Sequence, residues 1–534
     1  MVLLGFLCSA STFAQERGRE ELSKKQRFAL CRTENGWSND SIATYEGPCF
    51  DAKVEADLGK PGRALLELAA LQTYSTIRYW LTHRDRLEGI HKYEFNWADQ
   101  KRRIFDAKNW HFDSNCFSLN WTHYLAGALY YNIARTNDLS QRDSILLTLA
   151  ASTFWELLVE HRSDISVNDN IITPFGGLAL GEAWYSLGRY LTDKSGLAYS
   201  ILGFLHPVMK LNRWLDGDGI HPGQKPFEPG WHELKLSLGY RILREGTQPN
   251  TQNQAYLRFH SQFIHPHDYG SPGRIDRMFL APVSSEIDFD LSPGKKGVEE
   301  FNLFSRLVLS GYLKQNIEED GTGYACYWGL SSAFTLFKKR VTDPEESCRI
   351  KPEKGRPISL EDPRGFSDKF SIVHLIGPIF DLTLMSRDLR LRLLIDAYLD
   401  FSLVNAFALN SYSIAHDISG AKSTLIYYGY YYSLGTTLSS RLILTFGKFL
   451  CDGSLRYHFF DSIEWGDALQ EDVTDDFNLR DSMLRYRVRL AYHLRPAPIE
   501  IAFSYEGISR SGRIKDIIHK GNEDRFIIGA GLKF

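Results

Sequence analysis

No apolar run approaches the ~18 residues that an ordinary membrane-crossing helix needs, and mean hydropathy is −0.28. A conventional helical membrane protein is excluded. An excess of one charge is also missing. The chain carries 62 basic and 65 acidic residues, a formal net charge of −3, which excludes a nucleic-acid binder with a broad basic face. No C-x-x-C pair occurs among the seven cysteines, so a zinc ribbon is not indicated. G-x-S-x-G, Walker and Rossmann patterns are absent, which removes the common hydrolase and nucleotide chemistries. H-E-x-x-H and H-x-x-x-H spacings are absent too, so no metal and no cofactor are expected.

What is present is an ordinary globular balance, 43% hydrophobic and 24% charged, with 27 Tyr and 33 Phe. A chain of 534 residues fits three or four domains, or two if one is large. Polar on average yet rich in Tyr and Phe, the composition also suits a protein that crosses a membrane as β-strands. Residues 1–14 read as the remnant of a signal peptide, since Thr12-Phe13-Ala14 before Gln15 has small residues, Thr12 and Ala14, where a signal peptidase needs them. Residues 15–59 read as irregular. In an exported protein Cys31–Cys49 and Cys326–Cys348 could each close a loop, and free thiols are an equal expectation.

From about Trp231 the apolar period is two. Leu484, Tyr486, Val488, Leu490 and Tyr492 alternate with Arg485, Arg487, Arg489, Ala491 and His493. Ile499, Ile501, Phe503 and Tyr505 alternate with Glu500, Ala502, Ser504 and Glu506. Segments at 234–243, 389–403 and 525–534 behave likewise, with weaker ones at 254–264, 284–291, 301–313, 324–337, 370–386, 423–436, 440–450 and 454–460. Such alternation over ~10 residues fits a strand with lipid on one side and a polar lumen on the other. A soluble sandwich would bury the same apolar face. Strand length and the charge repeated on one face favour the membrane barrel, and about 12 strands are expected at ~25 residues per strand and turn.

Arg485, Arg487, Arg489 and Glu500 are therefore expected in the lumen, with Glu506, Asp396 and Asp400 as further ion-pair partners. An ion-paired, non-conducting interior is favoured over an anion pore. Tyr427, Tyr428, Tyr430, Tyr431 and Tyr432 read as an interfacial aromatic girdle.

Residues 60–230 change period. Arg63–Trp80, Trp121–Ala134, a segment from Ser140 to Glu160 and one from Asp169 to about Leu191 read as helices. Ser140 is the expected N-cap of the third and Asp169 of the fourth. Gly177-x-x-x-Gly181 permits a close helix crossing. Asp216-Gly217-Asp218-Gly219 lacks the distal Glu of an EF-hand.

Trp110-His111-Phe112-Asp113-Ser114-Asn115, Asn120, His123, Gly127, Tyr130-Tyr131 and Ala134-Arg135 carry a resemblance. It continues through Trp155-Glu156, Glu160, Asn168-Asp169, Thr173-Pro174, Gly176-Gly177, Gly181-Glu182, His206-Pro207 and Asn212-Arg213. This pattern resembles an uncharacterised family of exported Gram-negative envelope proteins, a domain of unknown function. Tyr124 departs from it, since the family tends to have proline after the histidine. The resemblance implies the cell envelope and supplies no reaction.

Within the helices, His123, Arg135, Glu156, Glu160, Asp169 and Glu182 are polar residues on apolar segments, costly to bury unless paired. One reading is an internal network in which Arg135 pairs with Glu156 or Glu182 and Asn168 bonds backbone. Another is a catalytic site, with His123 as general base oriented by Glu156 or Asp169, acting on a lipid or lipid-linked substrate. The expected fold class is α+β, a helical domain (60–230) before an antiparallel outer-membrane barrel (231–534). The helices would plug the lumen or sit at its periplasmic mouth, in envelope structure or transport, and an enzyme is the lesser expectation. Outer-membrane lipid, lipopolysaccharide and the barrel-assembly machinery are the expected partners, with no nucleic acid.

Overall fold

The computed structural model describes residues 59–82, 96–106, 109–113, 115–161, 165–217, 227–246, 251–294, 297–340, 366–418, 420–463 and 477–534. It also describes the backbone of three short strands, Phe28–Thr33, Gly36–Ser38 and Cys49–Ala52. Those three lie in the segment expected to be irregular. The leader-like residues 1–14 lie outside the described residues.

Twelve strands form the barrel: β1 (Trp231–Glu245), β2 (Gln252–Ile264), β3 (Ser284–Gly294), β4 (Gly297–Ile317), β5 (Gly323–Lys339) and β6 (Asp368–Ser386). They continue as β7 (Leu389–Asn405), β8 (Tyr430–Phe446), β9 (Phe449–Ser462), β10 (Leu479–His493), β11 (Ile499–Ile514) and β12 (Ile517–Lys533). Each pairs antiparallel with the next, and β12 pairs back onto β1 with Phe526 opposite Ile242. The cylinder is closed. An extra short strand, Gly273–Phe279, pairs with the end of β4. The expected strand at 423–436 is corrected. Residues Ser423–Tyr428 are helical, Gly429 turns the chain at φ +64°, and β8 runs unbroken from Tyr430.

Period-two patterning sets which side chain faces where. On β10, Val488 is 46% and Leu490 53% exposed, while Arg489 between them is 8% exposed. The apolar row looks outward and the charged row into the lumen, as the alternation predicts. The same outward row recurs as Leu434, Leu438 and Leu442 on β8 and Ile395 and Leu399 on β7. A closed barrel wearing an apolar belt satisfies every backbone group internally and faces hydrocarbon. This is an outer-membrane protein. Connections of 387–388, 447–448 and 494–498 at one end are short and those of 340–367, 406–429 and 463–478 at the other are long. Short turns mark the periplasmic side and long loops the outside.

The helical part comprises α1 (Pro61–Thr82), α2 (Trp97–Phe105), α3 (Phe117–Thr136), α4 (Gln141–Phe154), α5 (Val167–Gly176), α6 (Glu182–Asp193), α7 (Leu197–Leu202) and α8 (Pro207–Leu215). Ser140 caps α4 by accepting from Asp143 N at 3.1 Å. For α5 the expected cap is corrected. Ser166 accepts from Asp169 N at 3.3 Å, so Asp169 sits in the first turn. A π-helical turn, Trp155–Val159, continues α4, and another, Gly177–Gly181, joins α5 to α6 into one rod over 167–193. Pro174 lies just before the second, where it removes a backbone donor. The rod crosses α3 closely. A Cβ on Gly127 would lie 1.8 Å from Thr173 O, and one on Gly181 would strike the Tyr131 ring.

These helices neither plug the lumen nor sit at its periplasmic mouth, and both expectations are corrected. Phe401 and Leu403 of β7 continue the outward row of Ile395 and Leu399, yet they are buried beneath the helices. Phe112 stacks against Phe401 and Tyr432, with centroids 5.8 and 5.0 Å apart. Asn120 donates to Tyr430 and Tyr432 hydroxyls at 2.7 Å each. At the other end Tyr190 packs on Phe263 of β2. The helical domain is clamped to the outer wall over roughly half the circumference. Tyr430 and Tyr432 therefore form a docking surface, while Tyr431 turns inward to Asp481 at 2.6 Å. No girdle is made by this run.

The extracellular end of the lumen is filled instead by the β7–β8 connection, which contains α9 (Leu409–Ser413) and α10 (Ser423–Tyr428). Leu409, Tyr412 and Leu425 pack with the inward residues Phe370, Ile372 and Tyr431.

Candidate functional site

Two polar interiors compete for the role of site. In the lumen, ion pairs reach between strands far apart around the cylinder. Arg525 of β12 and Arg241 of β1 both hold Glu300 of β4, at 2.8 and 2.9 Å. Arg510 of β11 reaches Asp368 of β6 and Asp481 of β10, each at 2.8 Å. Lys339 of β5 meets Glu523 of β12, and Arg392 of β7 reaches Gln262 of β2 at 3.1 Å. Such rungs leave little room for a channel.

The expected lumen residues are all here. Arg485 pairs with Glu506 and Arg489 with Glu500. Glu500 also takes Lys235 at 3.0 Å. Arg487 lines a cavity of about 60 Å³ with Lys235, Arg489 and Glu500. Asp396 is held by Arg306 at 2.8 Å and Asp400 by His374 at 2.6 Å, so neither serves the β10 arginines.

The second interior is at the extracellular end of the helical bundle. A two-residue parallel pairing, Trp110–His111 with Ile165–Ser166, brings Asp113 beside the start of α5. Asp113 N donates to Asn168 Oδ1 at 2.8 Å, and Asn168 Nδ2 donates to Asp169 Oδ1 at 2.9 Å. Asn168 thus bonds both backbone and side chain. Glu156, inside the first π-turn, accepts from Ser166 N at 3.1 Å. Glu160 accepts from Trp155 Nε1 at 3.0 Å. His123 Nε2 lies 3.5 Å from Asp169 Oδ2, an oxygen that accepts no hydrogen bond among the described residues.

Four carboxyls, Asp113, Glu156, Glu160 and Asp169, are thereby gathered. The Arg103 guanidinium donates to the Glu156 carbonyl at 2.5 Å, and its charge also acts on the Glu156 and Glu160 carboxyls. Burial pushes Asp113 up to about 6 against the pull of its hydrogen bond from Asn115. Burial, with the Asp113 charge adding, pushes Glu160 up to about 7. Carboxyls so raised can exchange protons near neutral pH.

Of the pairings expected from sequence, Asp169 stands beside His123, and Glu156 holds the Ser166 amide instead. Arg135 pairs with Glu182, its Nε and Nη2 at 2.8 and 3.0 Å from the two oxygens, away from the acidic cluster. Asp113 was missed, although it belongs to the quoted Trp110–Asn115 motif, because it lies between helices and no periodicity points it inward. His206 is structural. It caps α8 through Nδ1, bonds Asn132 Oδ1 at 2.6 Å, and fills the space left by Gly188. Asp216 ties Lys60 and Arg63 at 2.8 and 2.6 Å, which explains an acid there without calcium. Cys326 and Cys451 are free thiols, so of the two readings left open for Cys326 the free thiol is the one found, while Cys116 is disulfide-bonded.

Residues 109–207 match the family described as Domain of unknown function (DUF3943). The DUF3943 segment holds all four cluster carboxyls, His123, Arg135 and Glu182. No curated protein matches the chain. Among solved structures, the chain is similar to the KdgM porin at 9% identity and TM-score 0.22, covering 56% of this chain and 99% of that one. It is similar to an outer membrane channel from Pseudomonas putida F1 at 12% and 0.25, covering 59% and 100%. The translocator domain of the autotransporter NalP from Neisseria meningitidis gives 8% and 0.17, covering 62% and 96%. Scores this low carry no argument about function.

Proposed function

We propose that the barrel is a non-conducting support and that the working part is the DUF3943 bundle on its outer wall, acting on a membrane lipid. Its acidic cluster supplies the chemistry, with His123 as the proton-accepting group and Asp169 holding it. The observation that carries this reading is the placement of four carboxyls, Glu156 and Asp169 buried and Asp113 and Glu160 half-buried, beside a histidine, against the lipid-facing side of the cylinder. A lumen crossed by ion pairs and filled by the β7–β8 connection argues against passage of a solute. Lipopolysaccharide is the abundant lipid of the leaflet nearest the cluster, and the barrel-assembly machinery would install the strands.

The test compares outer-membrane lipids from cells making the wild type, Asp169→Asn and His123→Ala. The expected result is a lipid species altered by the wild type alone, with all three proteins retaining heat-modifiable migration. Identical lipid profiles from the three strains would retire the enzymatic reading. A steady current from the wild type in planar bilayers would retire the non-conducting one.

A further inference from the structure

The exposed side of the bundle is unlike a surface made for water. On α1 the exposed residues between Leu66 and Ile77 are Ala69, Ala70, Thr73 and Tyr74, none of them charged. The two threonines, Thr73 and Thr76, donate back to Ala69 O and Gln72 O at 2.7 Å each, which meets their own hydroxyl donors within the helix. On α4 the exposed residues after Asp143 are Leu146, Leu149 and Ala150, followed by Leu158 in the π-turn. On α3, Leu119 and Leu125 are exposed with only Thr122 between them. A solvated helix face normally carries charge.

Charge returns at the ends. Arg142 and Asp143 are exposed at the periplasmic end of α4, and Arg78 near the outer end of α1. Exposed aromatic rings mark the same two levels: Trp97 and Phe105 of α2 near the acidic cluster, Phe204 and Trp214 beside α8. An apolar band between two aromatic edges is the pattern of a membrane-crossing surface. Dimensions agree. The rod over 167–193 is about 40 Å long at 1.5 Å per residue, and α3 about 30 Å, against a hydrocarbon core of ~30 Å or somewhat less.

The levels agree as well. The first part of the rod packs on β6, its middle on β4 and β5, and its last part on β3, ending with Tyr190 on Phe263 beside the periplasmic turn. Phe401 and Tyr432, at the extracellular end of their strands, meet Phe112 just ahead of α3. The contacts thus descend the whole height of the apolar belt. Beyond the footprint, the belt continues at once as Leu399 on β7 and Leu434 on β8.

We infer that the four long helical segments, α1, α3, α4 and the 167–193 rod, cross the outer membrane alongside the barrel, and that hydrocarbon chains cover their outward face. The occupant is lipid because this face is continuous with the lipid-facing wall and bounded by the same two edges. Buried charges are then turned to the bundle interior, where an intramembrane polar group must find partners. Arg135 and Glu182 do so with each other. The inference rests on docking and exposure alone, and stands or falls separately from the chemistry assigned to the cluster.

The experiment places the photocrosslinker p-benzoylphenylalanine singly at Ile77, Leu149, Leu438 and Arg513 of the full chain, in intact outer membranes. Leu438 is the barrel-wall reference, and Arg513 an exposed residue near the tip of the β11–β12 hairpin. The expected result is lipid adducts at Ile77 and Leu149 in yield comparable to Leu438, and loss of adducts at Arg513. Lipid at Leu438 with none at Ile77 and Leu149 overturns the inference. Adducts to protein at those two positions overturn it too, by showing that a second copy or another partner covers the face. Lipid adducts together with unchanged lipid profiles in the preceding test would uphold the membrane placement while retiring the enzymatic reading.

Discussion

The lumen and the bundle are both polar interiors, and they treat charge oppositely. In the lumen nearly every carboxylate meets a guanidinium or ammonium, often two, as Glu300 does with Arg241 and Arg525. At the head of the bundle four carboxyls crowd together, and the Arg103 guanidinium beside them donates to a carbonyl rather than to a carboxylate oxygen among the described contacts. Paired charges hold a shape. Crowded carboxyls cost stability, and sites of action are where such costs collect. The contrast is the ground on which architecture is proposed for the cylinder and chemistry for its flank.

The largest way to break that contrast is to unbalance the lumen. Glu300→Ala leaves two buried guanidinium groups facing each other. It should cost about 3–5 kcal/mol, read as a lower urea midpoint for the heat-modifiable form, with an unchanged midpoint contradicting the structural role. Titration at the bundle head has a smaller effect. The folded-state carboxyls of Asp113 and Glu160 are raised to about 6 and 7. The folded bundle therefore holds protons that the unfolded chain has released, and stability falls as pH rises from 5 to 8. Helix melting in micelles should show this slope, and Glu160→Gln should flatten it. A slope of the opposite sign would mean that the carboxyls are ion-paired after all. The smallest effect belongs to Arg480, whose bond to Asp461 is exposed. Arg480→Ala should shift the barrel midpoint by less than about 0.5 kcal/mol, and a larger shift would blur the line between rim and lumen.

The barrel was legible because its period is two and its two faces differ in kind. Arg485, Arg487 and Arg489 against Tyr486, Val488 and Leu490 separate the two faces, and strand length with the charge repeated on one of them favours the outward apolar row. The helices were legible for a similar reason, with Ser140 as a cap and Gly177 and Gly181 as a crossing point. Their place on the outer wall was not. Phe401 and Leu399 occupy the same row of one strand, and nothing in the row says that one meets Phe112 and the other meets lipid. The tyrosine run misled for the same reason: Tyr430 and Tyr432 have girdle composition, and only Asn120 reveals their use. Within the candidate site, Asp169 beside His123 was readable from residue type. Asp113 was hidden because a two-residue strand pairing, formed only in the folded chain, carries it into place.

The helices precede the barrel in the chain, so their route outward passes through the inner membrane before any wall exists to receive them. A segment as greasy as a conventional anchor would be arrested there, and among the described residues no helix is long and apolar enough to be one. Asn132, Arg135, Asp169 and Glu182, all buried or half-buried once folded, dilute the hydropathy of segments whose outer faces carry charge only towards their ends. The interior polar residues thus act as a passport: they let the bundle travel as a secreted polypeptide and become a membrane body only at its destination.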